Sequence, residues 1–366
     1  MKILYGVQGT GNGHISRARM MAQHFHRLGV DVVYLFSGRE RQDYFDMEIF
    51  GDFICRRGFT FSFRDGRLQY VRTLMENDAG KFLSDIRQLD LTDYDLVVTD
   101  YEPITAWAAR LRKKPVVGLG HQYAFKYRVP MEGDDAVSRW LLRNFAPAEV
   151  SFGLHWSHFG HNLLPPIVDP QLTRNHGQDA RPNKILVYLP FENQQFVTSL
   201  LKQIAGYDFY QYSSELNDGE DGNVQLRKTC HEGFKYDLST AGAVICNAGF
   251  ELVSECIHLG LRVMVKPLHQ QAEQLSNAKA LVELGLGERI DSLSVAAVEQ
   301  WLTSLQSHPV DRGGAYPDVA EAIAEWIVAG DYSDTGKLTR RLWSRCQPRN
   351  PLKENGLEEL PRQATA

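Results

Sequence analysis

Apolar runs and helical stripes alternate along most of the chain. KILYGV (residues 2–7) has no charge after Lys2 and reads as a strand buried on both faces. From Ile15 to Leu28, Met20, Met21, His24, Phe25 and Leu28 recur near helical spacing, and Gly29 supplies a stop. VDVVYLF (30–36) is the next strand, rich in β-branched residues. A helical pattern follows from Leu68 to Leu89, then the strand DLVVTD (95–100), a helix from Ile104 to Leu111 and the strand PVVGLG (115–120). Val150 to Trp156 reads as the last strand of this half. Continuous apolar strands separated by helices predict a parallel sheet covered on both faces.

The pattern breaks at residues 166–183, which carry three prolines and few apolar positions after Val168. It then restarts. KILVYLP (184–190) is a strand, Gln194 to Ala205 a helix, YDFYQYS (207–213) a strand, and AGAVICN (241–247) a strand followed by a helix from Gly249 to Leu259. RVMVKP (262–267) is a strand and Ala272 to Leu284 a helix. The expected fold class is α/β: two doubly wound, Rossmann-like, parallel-sheet domains facing across a cleft. The expected boundaries are a first domain at 1–165, a linker at 166–183, a second domain at 184–330, a helix in 331–347 crossing back to the first domain, and a polar, flexible tail at 348–366. Asp134 to Phe145 places Val137, Trp140, Leu141 and Phe145 on one face beside Arg139 and Arg143. That stripe reads first as a core-facing helix and second as a contact for a membrane surface or a lipid-linked acceptor.

Composition narrows the function classes. The chain has 366 residues, enough for two domains, and a formal net charge of -5, which disfavours a nucleic-acid partner. No apolar run approaches the length of a membrane span, and the N-terminus lacks a signal-peptide pattern. The five cysteines form no CxxC pair, so a reduced, cytoplasmic protein without a structural zinc site is expected, with peripheral attachment to the inner face of the membrane resting on the Trp140 helix alone.

Ligands of open α/β sheets bind beyond the carboxyl ends of strands, so residues there carry the candidate chemistry. After the first strand comes GTGNGHISRA, Gly9 to Ala18. Its glycine spacing is not that of a dinucleotide fingerprint, and no acid closes the second strand. It also lacks the Gly-Lys-Ser/Thr of a P-loop. What remains is a loop that lets something approach the backbone at Gly11, Asn12 and Gly13, with His14 at a helix start. Imidazole suits a general base, and it needs an acid to fix its tautomer. Asp100, closing its strand, is the candidate, with Glu102 the weaker alternative. The competing readings are that His14 only caps its helix and that Asp100 is an N-cap. In the second half, Ala248 and Gly249 stand between a strand and a helix whose free N–H groups suit a diphosphate. Glu255 follows in the next turn, and Gln270, Gln271 and Gln274 crowd the loop after the next strand, where amides suit sugar hydroxyls.

Asn247-Ala248-Gly249 through Glu255, then Pro267-x-x-x-Gln271 and Asn277-Ala278, resembles the nucleotide-sugar signature of GT-B glycosyltransferases of the MurG and UDP-glucuronosyltransferase-like type. GTGNGHISRA resembles the glycine-rich Gly-His loop that opens such chains. The resemblance covers most of residues 1–345 and implies the GT-B fold and transfer from a nucleotide sugar, a UDP-sugar first, to a hydroxyl acceptor with inversion. It implies that His14 activates the acceptor and that Asp100 orients it. Asn247, Ala248, Gly249 and Phe250 fall at the diphosphate turn, Glu255 on the ribose and Gln270, Gln271 and Gln274 at the donor sugar. Phe234 falls in a loop framing the base, and His121 and Gln122 in an acceptor-side loop. No cofactor or metal is expected. Two departures stand out. Asn247 replaces a charged or imidazole phosphate contact, leaving Arg227 or Lys228 to supply charge, and LPFEN (189–193) replaces a glycine-serine turn. A UDP-sugar epimerase or hydrolase and a non-catalytic nucleotide-sugar module remain alternatives.

Overall fold

The computed structural model describes residues 1–60, 63–64, 67–68, 77–133, 136–175, 177–178, 180–307, 315–330, 332 and 334–346. The first domain contains β1 (Lys2–Gln8), β2 (Asp31–Ser37), β3 (Ile54–Arg56), the small hairpin β4 (Phe63–Arg64) and β5 (Arg67–Leu68), then β6 (Leu96–Asp100), β7 (Val116–Gly120), β8 (Val150–Leu154) and β9 (Leu163–Leu164). Seven of these form a sheet in the order β3-β2-β1-β6-β7-β8-β9, parallel throughout. Its helices are α1 (Asn12–Arg27), α2 (Ala79–Gln88), α3 (Pro103–Arg112) and α4 (Ala136–Asn144). The second domain has β10 (Lys184–Tyr188), β11 (Asp208–Ser213), β12 (Gly219–Asp221), β13 (Val224–Lys228), β14 (Ala243–Asn247), β15 (Arg262–Lys266) and β16 (Glu288–Arg289). Their order is β12-β13-β11-β10-β14-β15-β16, and only β12 runs antiparallel to its neighbour. Helices α5 (Gln194–Leu201), α6 (His231–Thr240), α7 (Phe250–Leu259), α8 (Ala272–Glu283) and α9 (Val295–Ser307) accompany it. Last come α10 (Val319–Ala329) and α11 (Thr335–Trp343).

Both sheets are apolar on both faces, as the uninterrupted strands predict. In β1, Ile3, Tyr5 and Val7 enter one core cluster while Leu4 enters another with Ile104 and Ala108 of α3. In β10, Leu186 enters the first cluster and Ile185 and Val187 enter a third with Met264, Val298 and Trp301. Each such side chain taken from water contributes about 1.5–3 kcal/mol.

Strand order places the site. It reverses between β1 and β6 in the first sheet and between β10 and β14 in the second, and such switch points open a crevice at the strand ends. Val7 lies in register with Asp100, so the loop after β1 and the end of β6 meet despite their separation in sequence.

Several expectations shift. The helix expected from Leu68 to Leu89 is present only at Ala79–Gln88; Arg67–Leu68 is strand, and residues 69–76 lie outside the described residues. Strand β3, the β12–β13 hairpin and helix α6 carried too little periodicity to be read. Residues 166–183 are docked on the second domain: Ile167 and Val168 are buried, and the N–H groups of Asn175 and Arg181 donate to the carbonyls of Ser239 and Thr240. The return to the first domain begins at Val319, ahead of the expected residue 331. His24 of α1 lies 3.1 Å from Asp318, Arg27 2.5 Å from Glu321, and Trp326 packs edge-on against Phe152. In α11, Trp343 Nε1 donates to the Leu163 carbonyl at 2.6 Å. The tail at 348–366 lies outside the described residues. Of the expected core-facing stripe at α4, Phe145 packs against a core cluster while Trp140 is 61% exposed; Leu142, outside the stripe, makes a further apolar contact. Val137 and Leu141 lie outside the residues whose side chains are described.

Candidate active site

Helix α1 starts at Asn12, with Gly11 as an N-cap that offers no side-chain bond. His14 therefore sits in the first turn, and its ring does not cap the helix. Its Nδ1 lies 2.7 Å from Asp100 Oδ1. Asp100 is not a cap either. That role belongs to Glu102, whose carboxylate accepts the N–H groups of Ile104 and Thr105 and the hydroxyls of Ser37 and Thr105, at 2.7–2.9 Å. Glu102 is fully buried in doing so, and the acid beside His14 is Asp100, not this alternative.

Asp100 has a second partner that the strand-end reading missed. Arg17, one turn after His14 and almost completely buried, donates Nε to Asp100 Oδ2 at 2.7 Å and Nη2 to Oδ1 at 2.5 Å. Burial alone would push the Asp100 carboxyl up; the Arg17 guanidinium and His14 outweigh it and hold the group below the usual carboxylate range. Burial would likewise lower the Arg17 guanidinium, but Asp100 and Glu251 more than reverse that. Helical spacing gave the available signal: Arg17 lies three residues after His14, on the same face, among Ile15, Ala18 and Met21.

Glu251 comes from the other domain, in the first turn of α7, and its Oε1 accepts from Arg17 Nη1. The same carboxylate occupies the space beside Gly13, where an added Cβ would lie 2.3 Å from Glu251 Oε2. Gly11 opens onto free space, and Asn12 Nδ2 donates to Tyr188 Oη at the end of β10, 3.3 Å away. Of the loop positions expected to admit an acceptor, Gly13 is thus already covered from across the cleft.

The far side of the His14 ring faces Gln122. Gln122 Nε2 lies 3.4 Å from His14 Nε2 and donates to Glu273 Oε1, on α8, at 3.0 Å; Gln122 Oε1 is buried without a partner. His121 is not at an acceptor surface. It is fully buried between the domains, with its ring nitrogens 2.8 Å from the Leu154 carbonyl and 2.6 Å from Asn277 Oδ1. Burial lowers its basicity.

In the second domain Gly249 is the N-cap of α7, and a Cβ there would meet nothing within 4 Å. The Gly249 N–H donates to the Asn247 carbonyl at 2.8 Å, and no side chain caps this helix start, so the N–H groups of the first turn, from Phe250 on, have no partner within the helix. Ala248 is buried, and its carbonyl accepts from Asn277 Nδ2 at 2.9 Å. Asn247 Nδ2 donates to the Lys266 carbonyl, leaving Asn247 Oδ1 buried and unpartnered. Phe250, expected at the diphosphate, presents only backbone there. Its ring stacks on His121 at 4.0 Å and on Trp156 at 5.2 Å, and Trp156 Nε1 donates to Ser254 Oγ at 2.8 Å.

Glu255 accepts from Lys235 Nζ of α6. Phe234 lies in the first turn of α6 rather than in a loop, edge-on to Tyr188 and Tyr212. Gln271 caps α8 by accepting from the Gln274 N–H at 2.8 Å, and Gln274 turns inward so that its Oε1 accepts from the Leu268 N–H. Of the three glutamines only Gln270 is exposed, and it lines a cavity of about 550 Å³ with Glu132, His269, Arg289 and Asp291. Arg289 closes one side by a two-pronged bond to Glu132 of the first domain, at 2.7 and 2.9 Å. Arg227 does not supply the missing phosphate charge; its guanidinium serves its own hairpin, donating to the Gly219 and Leu226 carbonyls and to Gln225. LPFEN has a structural use. Glu192 pairs with buried Lys266 at 2.7 Å, and Asn193 caps α5.

Among the described residues no three His, Cys, Asp or Glu side chains are grouped to hold a metal ion, and no helix is long and apolar enough to cross a membrane.

Comparison with known proteins bears on this arrangement. An uncharacterized glycosyltransferase of Methanosarcina mazei is 24% identical over 332 residues, covering 80% of this chain and 87% of that one. The solved glycotransferase of kitacinnamycin matches with a TM-score of 0.58 and 15% identity, over 95% of this chain and 99% of its own. MurG of Acinetobacter baumannii matches at 0.54 and 16% identity, over 90% and 99%. The glycosyltransferase SsfS6 of Streptomyces sp. SF2575, complexed with thymidine diphosphate, matches at 0.56 and 12% identity, over 90% and 99%. The model for glycosyl transferase family 1 matches residues 1–306. With two facing Rossmann-like sheets and a family match over most of its length, the chain belongs to glycosyl transferase family 1 and is a glycosyltransferase of the GT-B fold.

Proposed function

We propose that this glycosyltransferase moves a sugar from a UDP-sugar to an acceptor hydroxyl with inversion and without a divalent metal. The observation that carries the reading is the His14–Asp100 pair at 2.7 Å, at the switch point of one sheet and opposite the uncapped start of α7 at the switch point of the other. In the proposed step His14 Nε2 takes the acceptor proton as that oxygen attacks the anomeric carbon. The bond from that carbon to the diphosphate oxygen breaks, and the diphosphate leaves with the bonding pair toward the first-turn N–H groups of α7, from Phe250 on, since the Gly249 N–H already donates to the Asn247 carbonyl. Base catalysis of this kind contributes about 10²–10⁴-fold, and preorganised N–H donors stabilise the leaving anion.

Glu255 and Gln270 are the proposed donor contacts with side chains within reach of the cleft. Gln271 and Gln274 are held by α8 and act by shaping it. The exposed Trp140 supports a lipid-linked or membrane-surface acceptor.

A thermal-shift series with UDP, TDP, UDP-sugars and TDP-sugars tests the donor, because a ligand at 100 times its Kd adds about 2.7 kcal/mol of stability. TDP belongs in the series because the SsfS6 neighbour is complexed with thymidine diphosphate. A larger shift with TDP than with UDP overturns the uridine assignment, and no shift with any of them sinks the donor site. Product stereochemistry tests inversion, and turnover lost on adding EDTA defeats metal independence.

A further inference from the structure

The His14 ring is held at both nitrogens by chains that end on the other domain. At Nδ1, two groups compete. Asp100 Oδ1 is 2.7 Å away and can only accept; Arg17 Nη2 is 2.9 Å away and can only donate. A neutral imidazole satisfies one of these and not the other. A proton on Nδ1 goes to Asp100 and leaves the Nε2 lone pair facing the cleft, ready to take a proton. A lone pair on Nδ1 accepts from Arg17 and puts the proton on Nε2, where it blocks a base.

Arg17 is itself shared. Two of its nitrogens grip Asp100, and Nη1 donates to Glu251 across the cleft. At the other end of the ring, Gln122 must turn its amide nitrogen toward the Glu273 carboxylate, so a donor also faces His14 Nε2. That orientation suits a lone pair on Nε2 and a proton on Nδ1. The charged groups around the ring are thus Asp100 and Arg17 from the first domain, with Glu251 and Glu273 behind them from the second.

We infer that Arg17 is a positioning residue that selects the tautomer of His14, and that Glu251, by drawing Arg17 across the cleft, keeps the ring in the form that can act as a base. The consequence for catalysis rests on the transferase mechanism proposed above. The tautomer assignment does not. With the domains together, Glu251 takes Nη1 and Asp100 takes Nε and Nη2, so the guanidinium hydrogens are directed at carboxylates although Nη2 lies 2.9 Å from Nδ1, and Asp100 receives the ring proton. When they part, Arg17 is free to donate to Nδ1 and the base is switched off.

The ¹⁵N spectrum of the neutral His14 ring in the full chain reads this directly, with the signal assigned by its loss in His14→Gln. The expected wild-type pattern is protonated Nδ1 and bare Nε2. Glu251→Ala moves the ring toward protonated Nε2 and lowers kcat by roughly tenfold or more, with the donor KM little changed. Glu251→Gln, which keeps an accepting oxygen, falls between the two. Adding Arg17→Gln to Glu251→Ala returns the ring to protonated Nδ1, because the competing donor is gone. A wild-type ring already protonated on Nε2, or a Glu251→Ala ring identical to wild type, overturns the inference. Glu251 is partly exposed, so its variants remain informative even if the buried Arg17→Gln does not fold. The spectrum needs no turnover, so the expected tautomers in a protein that transfers no sugar would sink the transferase mechanism and leave the inference standing.

Discussion

Two strand-to-helix turns stand at the two switch points, and they are built in opposite ways. Gly9 to His14 presents side-chain chemistry, and the space around it is taken: Glu251 lies where a Gly13 side chain would, and Arg17 and Asp100 grip the ring from behind. Asn247 to Glu251 presents backbone. Its space above Gly249 is open, while its side chains, Phe250 above all, are spent on the domain interface. A base must be fixed to about an ångström and needs charged neighbours. The proposed diphosphate site needs only N–H groups and room, so its side chains are free to hold the domains together.

The largest expected effect tests the first turn. His14→Ala lowers turnover about 10²–10⁴-fold while the UDP-induced thermal shift stays as in wild type. Turnover within twofold of wild type removes His14 from the mechanism. The two glycines test the contrast itself. Gly13→Ala must displace the Glu251 carboxylate and costs about 1–3 kcal/mol in urea unfolding, as overpacking does. Gly249→Ala has an ordinary φ of -73° and free space, costs below about 1 kcal/mol, and weakens UDP binding by crowding the helix start. The reverse order of stabilities would break the comparison.

The interface behind the second turn predicts a pH dependence. His155 is buried beside His121, and its Nδ1 accepts the Trp156 N–H, which requires the neutral ring. Burial first, and His121 second, push its pKa well below the ordinary histidine value of 6.5. The unfolded chain therefore binds a proton near pH 6.5 that the folded chain refuses. Stability from this residue is full above that pH and falls as the pH drops below it, by about 1.4 kcal/mol per unit. Urea midpoints at pH 7.5 and 5.5 should separate less in His155→Gln than in wild type; equal separation would refute the assignment. The smallest effect concerns neither turn. Trp140→Glu should leave stability within about 0.5 kcal/mol, as at other exposed sites, and reduce co-sedimentation with anionic vesicles. Unchanged sedimentation removes Trp140 as a membrane contact.

Much of this was legible before any coordinates. Uninterrupted apolar strands, helical stripes and the break at 166–183 follow from backbone periodicity, which is local, and they imply two parallel sheets with ligands at the strand ends. His14 and Asp100 could be paired on that ground, since one follows and the other closes a strand of the same sheet. Asp100 could be ranked above Glu102 but not separated from it, because cap and orienting acid are the same chemistry two residues apart. The side chains decide by which way each faces.

The sequence alone thus determined the two sheets, the switch-point turns and the residue types of the proposed base with its acid. Only the tertiary structure decided that Arg17 shares Asp100, that Glu251 fills the space at Gly13, that Phe250 is interface and that His121 is buried. Each of those is a contact between the domains or through the core. The Arg17–Asp100 contact depends on how α1 packs over its own sheet and the others on how the two sheets meet, and no periodicity within either sheet encodes that.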